Sequence, residues 1–364
     1  MFKIQTLNKI SPLGLDQLPR DAYEVASEIG HPDAVIVRSA NMCDMELPQS
    51  LKAIARAGTG VNNIPVEKCS ERGIVVFNTP GANANSVKEI VLASLLISSR
   101  KIVQGIEWAK SLVGKGDEVP KIIEKDKSRF GGPEIKGKSL GVIGLGAIGV
   151  MVANDACSLG MEVTGYDPFI SVESAWDLSR TIRRATGFES LLRTSDYITL
   201  HVPLTDETKG VINRDKFALM KKGVRLINFA RGGLVNNADL KEALLNGTVS
   251  CYVTDFPDEE LIKMENVFSI PHLGASTPEA EDNCAVMAAR QVRNFLENGN
   301  IKNSVNYPNC QMDLAGKKRI NINDMLNRSK GNNAYNIIDI DSEITENGIG
   351  KIRAIGGVTM VRII

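Results

Sequence analysis

The sequence predicts an α/β protein built on doubly wound parallel sheets, and three observations carry that expectation. Short apolar runs of strand length alternate with helical segments along most of the chain, the rhythm of βαβ units whose strands lie parallel. One of those runs leads, through Leu140-Gly-Val-Ile143, directly into the glycine-rich turn Gly144-Leu-Gly-Ala-Ile-Gly149, and Met161-Glu-Val-Thr-Gly-Tyr-Asp167 then reads as a second strand ending in an acid. Two long helical segments, roughly Ser86 to Ala109 and Thr277 to Asn298, flank the central repeats. The simplest path leaves a first domain by one helix and returns by the other, so that domain is discontinuous. The expected architecture is two Rossmann-like parallel-sheet domains with a cleft between them and a small α+β tail. The boundaries are 1–93 with 274–306 for a substrate domain, 94–273 for a nucleotide domain and 316–364 for the tail.

Taken in order, Ala22 to Ile29 has a helical pattern and Ala34-Val-Ile-Val37 reads as a strand. Ala53 to Ala57 is strand-like, Pro65 to Arg72 helical and Gly73 to Phe77 a strand again. Ser86 and Glu89 have the spacing of a capping box at the head of the first long helix. The polar stretch Lys110 to Gly132 reads as a surface loop with some helix. Beyond Asp167, further strands are expected at Tyr197–Val202, Arg225–Phe229, Ser250–Thr254 and Asn266–Ile270. Thr277-Pro278 opens the second long helix, with proline in the first helical position. In the tail, Lys318–Ile322, Asn333–Ile340 and Val358–Ile364 read as strands around a helix near Ser342–Ala354, and the whole is too small for a comfortable core of its own.

Composition excludes several classes. Lys and Arg number 43, against 43 Asp and Glu, so no basic footprint for nucleic acid or an anionic membrane is expected. The six cysteines show no CxxC pairing and read as reduced thiols, with no metal site. The apolar stretch from Ile90 to Ile97 is interrupted by Ser94 and is too short to span a bilayer. Met1-Phe-Lys-Ile-Gln-Thr-Leu has no apolar run of signal-peptide length. The expectation is a cytoplasmic protein.

The glycine turn points to a dinucleotide. Gly144 permits the tight turn, Gly146 admits a pyrophosphate to the backbone and Gly149 lets helix and strand pack closely, while the helix N-terminus offers N–H groups to phosphate. Asp167 would accept from a ribose 2′-hydroxyl and repel a 2′-phosphate, which favours NAD over NADP. A hydride-transfer enzyme also needs a cation for a carboxylate, an acid/base near the hydroxyl proton and an acid to orient that base. The chain has three histidines. His31 sits in a turn and reads as a surface residue, and His201 ends a strand where cofactor-shaping and packing roles are both open. His272 follows the last apolar strand, at the sheet edge where doubly wound folds bind ligands. Arg231 follows another strand end beside Gly232-Gly233, where a guanidinium fork suits a carboxylate, and Glu259 and Glu260 follow the strand that ends near Asp255.

With Val37-Arg-Ser-Ala40, Arg56-Ala-Gly-Thr-Gly-Val-Asn62, Asn78-Thr-Pro80, the Gly144–Gly149 turn, His201-Val-Pro-Leu-Thr205, Asn228-Phe-Ala-Arg-Gly-Gly233 and Pro271-His-Leu-Gly-Ala-Ser-Thr277, the chain resembles the D-isomer-specific 2-hydroxyacid dehydrogenases from about Ala34 to Asn306. The resemblance implies a catalytic set of Arg231, a glutamate and His272. In the family pattern, the glutamate stands five residues after an Asp-Val-Phe aspartate. Here Asp255 directly precedes Phe256-Pro257, so counting from Asp255 selects Glu260 and aligning on Phe256-Pro257 selects Glu259. The spacing from Arg231 to Asp255 favours Glu260.

The resemblance further implies a cofactor site completed by Ala147, Ile148, His201, Val202, Pro203, Thr208, Phe229, Ala230, Asp255 and Gly274. Gly58, Thr59, Gly60 and Val61 would hold a substrate carboxylate through backbone N–H groups. Arg38 and Arg56 are the candidates for a substrate phosphate. The implied activity is NAD-dependent oxidation of a phosphorylated 2-hydroxy acid, 3-phosphoglycerate to 3-phosphohydroxypyruvate, at the entry to serine synthesis. Glyoxylate, hydroxypyruvate or another D-2-hydroxyacid as substrate, or an NAD-sensing corepressor, are the alternatives. Asp324 to Gly331 followed by Ala334 to Asp341 resembles part of an ACT regulatory domain, a βαββαβ module. Ile322 runs straight into Asn323-Asp324 with no room for its first helix. Either a segment near 322/323 is skipped or the module is degenerate, which bears on serine feedback. Such modules pair through their sheets or helices, so a homodimer or homotetramer is expected.

Overall fold

In the computed structural model, which describes residues 1–312, 319–341, 344 and 346–364, the chain divides into two units. One comprises Met1–Asn83 with Thr277–Ile364 and the other Ala84–Ser276. The breaks fall at 83/84 and 276/277 rather than at 93/94 and 273/274, and the tail belongs with the first unit.

The first unit begins with β1 (Phe2–Leu7), α1 (Pro12–Leu15), β2 (Tyr23–Ala26), β3 (Ala34–Val37), β4 (Ala53–Arg56), α2 (Val66–Glu71) and β5 (Val75–Phe77). The strands form a parallel sheet in the order β2-β1-β3-β4-β5. The helical pattern read over Ala22–Ile29 is overturned, because its centre is strand β2. Tyr23 is buried there, its hydroxyl donates to Glu297 at 2.9 Å, and the segment pairs with β1 from Phe2↔Tyr23 to Gln5↔Ala26. Pairing at a sheet edge and burial of one aromatic ring outweigh a short local helical preference.

The second unit starts with α3 (Ala84–Ser99), α4 (Ile102–Lys110) and α5 (Val119–Asp126). The single helix expected over Ser86–Ala109 is therefore broken at Arg100-Lys101. The Ser98 carbonyl, which the next helical turn would have used, accepts from Arg225 Nε at 2.7 Å, and Ser98 and Ser99 turn their hydroxyls onto the Leu95 carbonyl. The capping box is also absent. The helix begins two residues before Ser86, whose hydroxyl donates instead to the Gly274 carbonyl at 2.8 Å. The stretch after Lys110 is largely helical, and the Arg129 guanidinium lies over the stacked rings of Trp108 and Phe130.

Next come β6 (Ser139–Ile143), α6 (Ala147–Ser158), β7 (Glu162–Tyr166), α7 (Val172–Trp176), β8 (Arg183–Arg184), α8 (Phe188–Thr194) and β9 (Tyr197–Leu200). They are followed by α9 (Arg214–Phe217), β10 (Val224–Asn228), α10 (Asn237–Leu245), β11 (Val249–Thr254), α11 (Glu259–Lys263) and β12 (Val267–Ser269). All ladders are parallel, in the order β12-β11-β10-β9-β6-β7-β8. The order reverses between β6 and β9, the crevice where open α/β sheets bind dinucleotides. Val87, Val91 and Leu95 of α3 cover one face with Val142, Ile227 and Val253, while Leu226, Leu240 and Leu261 pack on the other. Burial on both faces explains why these strands read as unbroken apolar runs.

The chain returns to the first unit through α12 (Pro278–Asn298), capped by Thr277 and ended by Gly299 at φ 69°. Ala285, Ala288, Ala289, Val292 and Phe295 pack this helix against Ile4, Ile36 and Phe77. The tail holds β13 (Arg319–Lys330), β14 (Asn333–Asp341) and α13 (Glu346–Arg353). The two strands form an antiparallel hairpin, and β13 runs straight through 322/323 with shifts in its ladder there. Of a βαββαβ module the described residues thus supply one hairpin and one helix. Residues 313–318, 342, 343 and 345 lie outside the described residues, so the expected strand start at Lys318 and helix start at Ser342 fall there. The expected strand Val358–Ile364 is not one. The segment is held by other means: Arg362 donates to the Phe295 and Leu296 carbonyls at 3.1 Å and its guanidinium stacks on the Phe295 ring.

Candidate functional site

The glycine turn follows the C-terminal end of β6, with each glycine in a different position. Gly144 has φ 92° and its N–H donates to the Tyr166 carbonyl at 2.9 Å. A Cβ on it would lie 2.6 Å from the His201 carbonyl oxygen, and one on Gly149 would be driven into the Gly144 carbonyl. Both glycines are therefore required by the protein's own packing. Gly146, the N-cap of α6, has an ordinary extended backbone (φ −77°, ψ −167°) and nothing within 4 Å of where its Cβ would be. Open space over an uncapped helix N-terminus, beside Ala147 and Ile148, is what a pyrophosphate needs. Asp167, just past β7, accepts from the Leu145 N–H through Oδ2 and from the Phe169 N–H through Oδ1, both at 2.8 Å. Those two bonds hold the carboxylate beside the turn.

His201 continues β9, its N–H donating to the Ile143 carbonyl. Its Nε2 is 3.0 Å from the Thr199 hydroxyl and its Nδ1 is shielded with no partner among the described residues. Burial depresses its pKa to about 4, so the ring is neutral at ordinary pH. Thr208 donates to the Pro203 carbonyl at 2.6 Å and accepts from the Thr205 N–H, which fixes the loop after Val202.

The groups with acid, base and cationic chemistry stand on three successive strand ends. After β10, Phe229 is buried and Arg231 is exposed, with a guanidinium N–H donating to the Ala230 carbonyl. After β11 comes Asp255, only 2 % exposed. Its Oδ2 accepts from the Gly274 N–H at 3.0 Å and its Oδ1 has no partner among the described residues. Burial raises its pKa, against the opposing pull of that N–H and of the His272 and Arg231 charges. After β12 comes His272, in the left-handed region at φ 49°, its N–H donating to the Ile270 carbonyl and its ring 5.1 Å from that of Phe256. Arg231 and His272 are thus both within electrostatic reach of Asp255.

The two glutamates stand apart from this group. Both lie exposed in the first turn of α11 behind the Asp258 cap, and Glu259 pairs with Lys263. Among the described residues neither hydrogen-bonds His272. In the first unit, Arg38 pairs with Glu281 at 2.6 Å and Arg56 Nε donates to the Arg38 carbonyl. The Gly58–Val61 turn is tied by the Thr79 N–H to the Gly58 carbonyl and by the Asn78 amide to the Thr59 carbonyl.

Sequence reasoning passed over Asn228. It is buried, donates to the Arg231 carbonyl at 2.9 Å and accepts from the Ala230 N–H. A polar residue ending an otherwise apolar strand was the available signal. Ser86, rather than capping α3, secures Gly274 through its hydroxyl.

The fold and the turn are matched by comparison with known proteins. Residues 92–274 fit the model of the D-isomer specific 2-hydroxyacid dehydrogenase NAD binding domain. The chain belongs to this family. A D-3-phosphoglycerate dehydrogenase of Methanocaldococcus jannaschii is 38% identical over 303 residues, 81% of this chain and 55% of that protein. One from Archaeoglobus fulgidus is 39% identical over 331 residues, 85% and 60% respectively. The chain therefore spans little more than half the length of the curated relatives it matches. The structure of NAD+-bound 3-phosphoglycerate dehydrogenase from Entamoeba histolytica aligns with a TM-score of 0.64 and 27% identity, covering 84% of this chain and 98% of that one. D-mandelate dehydrogenase from Rhodotorula graminis aligns at 0.67 and 25%, covering 81% and 94%. The cofactor of this dehydrogenase domain is NAD, and the open space at Gly146 and the acid at Asp167 fit it. Among the described residues no helix is long and apolar enough to cross a membrane, and no cluster of side chains could hold a metal.

Proposed function

We propose that this dehydrogenase oxidises 3-phosphoglycerate to 3-phosphohydroxypyruvate, the reaction that opens serine synthesis. The observation that carries the reading is the gathering of Arg231 and His272 around buried Asp255, in a chain whose likeness to D-3-phosphoglycerate dehydrogenases covers 81% of its length in the first of them. NAD, held at the Gly144–Gly149 turn and beside Asp167, would supply the hydride acceptor for the substrate C2 carbon. His272 takes the C2 hydroxyl proton, and Arg231 binds the carboxylate and polarises the carbonyl that develops. Glu260 is proposed to stabilise the imidazolium, with Glu259 as the other candidate. Substrate-binding roles for Arg38, Arg56 and Gly58–Val61 rest on the family motifs, as do the assignment of the first unit to substrate, an ACT-like function of the tail, assembly as a homodimer or homotetramer, and a cytoplasmic location.

The test is steady-state turnover of the purified chain with NAD and 3-phosphoglycerate in alkaline buffer with the ketone trapped, beside D-lactate, D-glycerate and, in the reverse direction, glyoxylate. His272→Gln is expected to lose about 10²–10⁴-fold in kcat with NADH affinity kept, and Glu260→Gln to lose more than Glu259→Gln. Higher kcat/KM on an unphosphorylated acid, or wild-type turnover without His272, defeats the assignment.

A further inference from the structure

We propose that Phe256 is a positioning residue for His272, holding by ring contact an imidazole that no hydrogen bond holds among the described residues. The inference rests on the dehydrogenase reading and deepens it.

The His272 ring needs such a support. Its backbone is fixed in the left-handed region by the N–H bond to Ile270, yet the residue is exposed, and among the described residues nothing hydrogen-bonds its ring. The carboxylate expected to orient it lies in α11, where Glu259 is committed to Lys263. What does touch the ring is Phe256, edge against face at 5.1 Å between centroids and 65° between planes, a preferred aromatic geometry.

Phe256 is itself held on three sides. Its N–H donates to the hydroxyl of fully buried Thr254 at 3.2 Å. Pro257 follows it and restricts its backbone to extended conformations. Behind it lies Gly232, where an added Cβ would come to 3.3 Å from the Phe256 Cβ and 3.6 Å from its ring. Phe256 therefore has both the residue after Arg231 and the ring of His272 as neighbours. One side chain, rooted at the end of β11, thus has neighbours at the ends of both β10 and β12. The shortened Asp255-Phe256-Pro257 spelling, which displaces the glutamates by one place, is what puts an aromatic ring immediately after the buried aspartate.

The decisive comparison is Phe256→Ala against Phe256→Leu in the full chain, read by kinetics and by NMR. Loss of the ring contact lets His272 drift, and misplacement on the order of 1 Å costs roughly a hundredfold. Phe256→Ala is expected to lower kcat by about 10- to 100-fold with KM for substrate and NAD changed by less than about threefold. Phe256→Leu is expected to recover most of the rate, because it restores volume. With three histidines in the chain, the imidazole signals are few and His272→Gln assigns one of them. That signal is expected to move in both variants as the ring current of Phe256 is lost, while that of His31 stays. Wild-type kcat in Phe256→Ala, or an unmoved His272 signal, overturns the proposal. Should the wild-type chain turn over no 2-hydroxyacid, the dehydrogenase reading fails by itself and the NMR shift alone decides the ring contact.

Discussion

Alanine at Gly144 and alanine at Gly146 add the same methyl group two residues apart and should produce opposite failures. At Gly144 the new Cβ meets the His201 carbonyl oxygen at 2.6 Å and carbon at 2.7 Å, below the 3.0 Å that real Cβ contacts keep. Both obstacles are backbone continuing β9, so either the turn or the strand must shift. The overpacking costs about 1–3 kcal/mol, and an L-residue at φ 92° adds about 1–2 kcal/mol. A total of roughly 2–5 kcal/mol, at roughly 2–4 °C per kcal/mol for a domain of this size, lowers Tm by about 5–15 °C. At Gly146 the backbone suits any residue and nothing lies within 4 Å, so stability should hold within about 0.5 kcal/mol. The methyl occupies the space assigned to the pyrophosphate, and a loss of about 1.4 kcal/mol there is tenfold in Kd. Thermal melts and NADH fluorescence titration of the two variants read both quantities. Wild-type NADH affinity in Gly146→Ala would refute the assignment of that space, and an unchanged Tm in Gly144→Ala would refute the packing account.

Two further outcomes follow from buried ionisable side chains. His201 has a folded pKa of about 4 against 6.5 when exposed, so the unfolded chain binds a proton that the folded chain refuses. The stability involved is complete above about pH 6.5 and is lost as pH falls toward about 4, up to about 3 kcal/mol; His201→Gln should flatten the fall in Tm over that window, and an unaltered slope would count against burial as the cause. Arg362→Ala removes two hydrogen bonds to the end of α12 and the stacking on Phe295, which should cost about 1–3 kcal/mol and leave NADH affinity intact; an unshifted melting curve would mean that the C-terminal segment is not anchored there.

The second unit was the more legible part of the chain because its information is local. A turn that must pass φ 92° under a carbonyl demands glycine at Gly144, and fully buried parallel strands demand apolar runs, so spelling and structure coincide from Ser139 to Asp167. Tyr23–Ala26 departs from its local helical pattern because a sheet edge supplies a partner that the pattern does not contain. The break at Arg100 was invisible because its cause, Arg225 on the Ser98 carbonyl, comes from far along the chain. Val358–Ile364 has strand-forming residues, but Arg362 and the end of α12 take the backbone elsewhere.

The sequence by itself determined the parallel α/β class, the NAD cofactor and the residues able to do chemistry, since each depends on side-chain type and short spacing. Only the tertiary structure decided how those residues stand. It buried Asp255 within electrostatic reach of Arg231 and His272, kept His201 neutral, left Glu259 and Glu260 facing solvent and set Phe256 against the His272 imidazole. Each of these follows from which strand ends meet at a sheet edge, a matter of packing between segments remote in sequence.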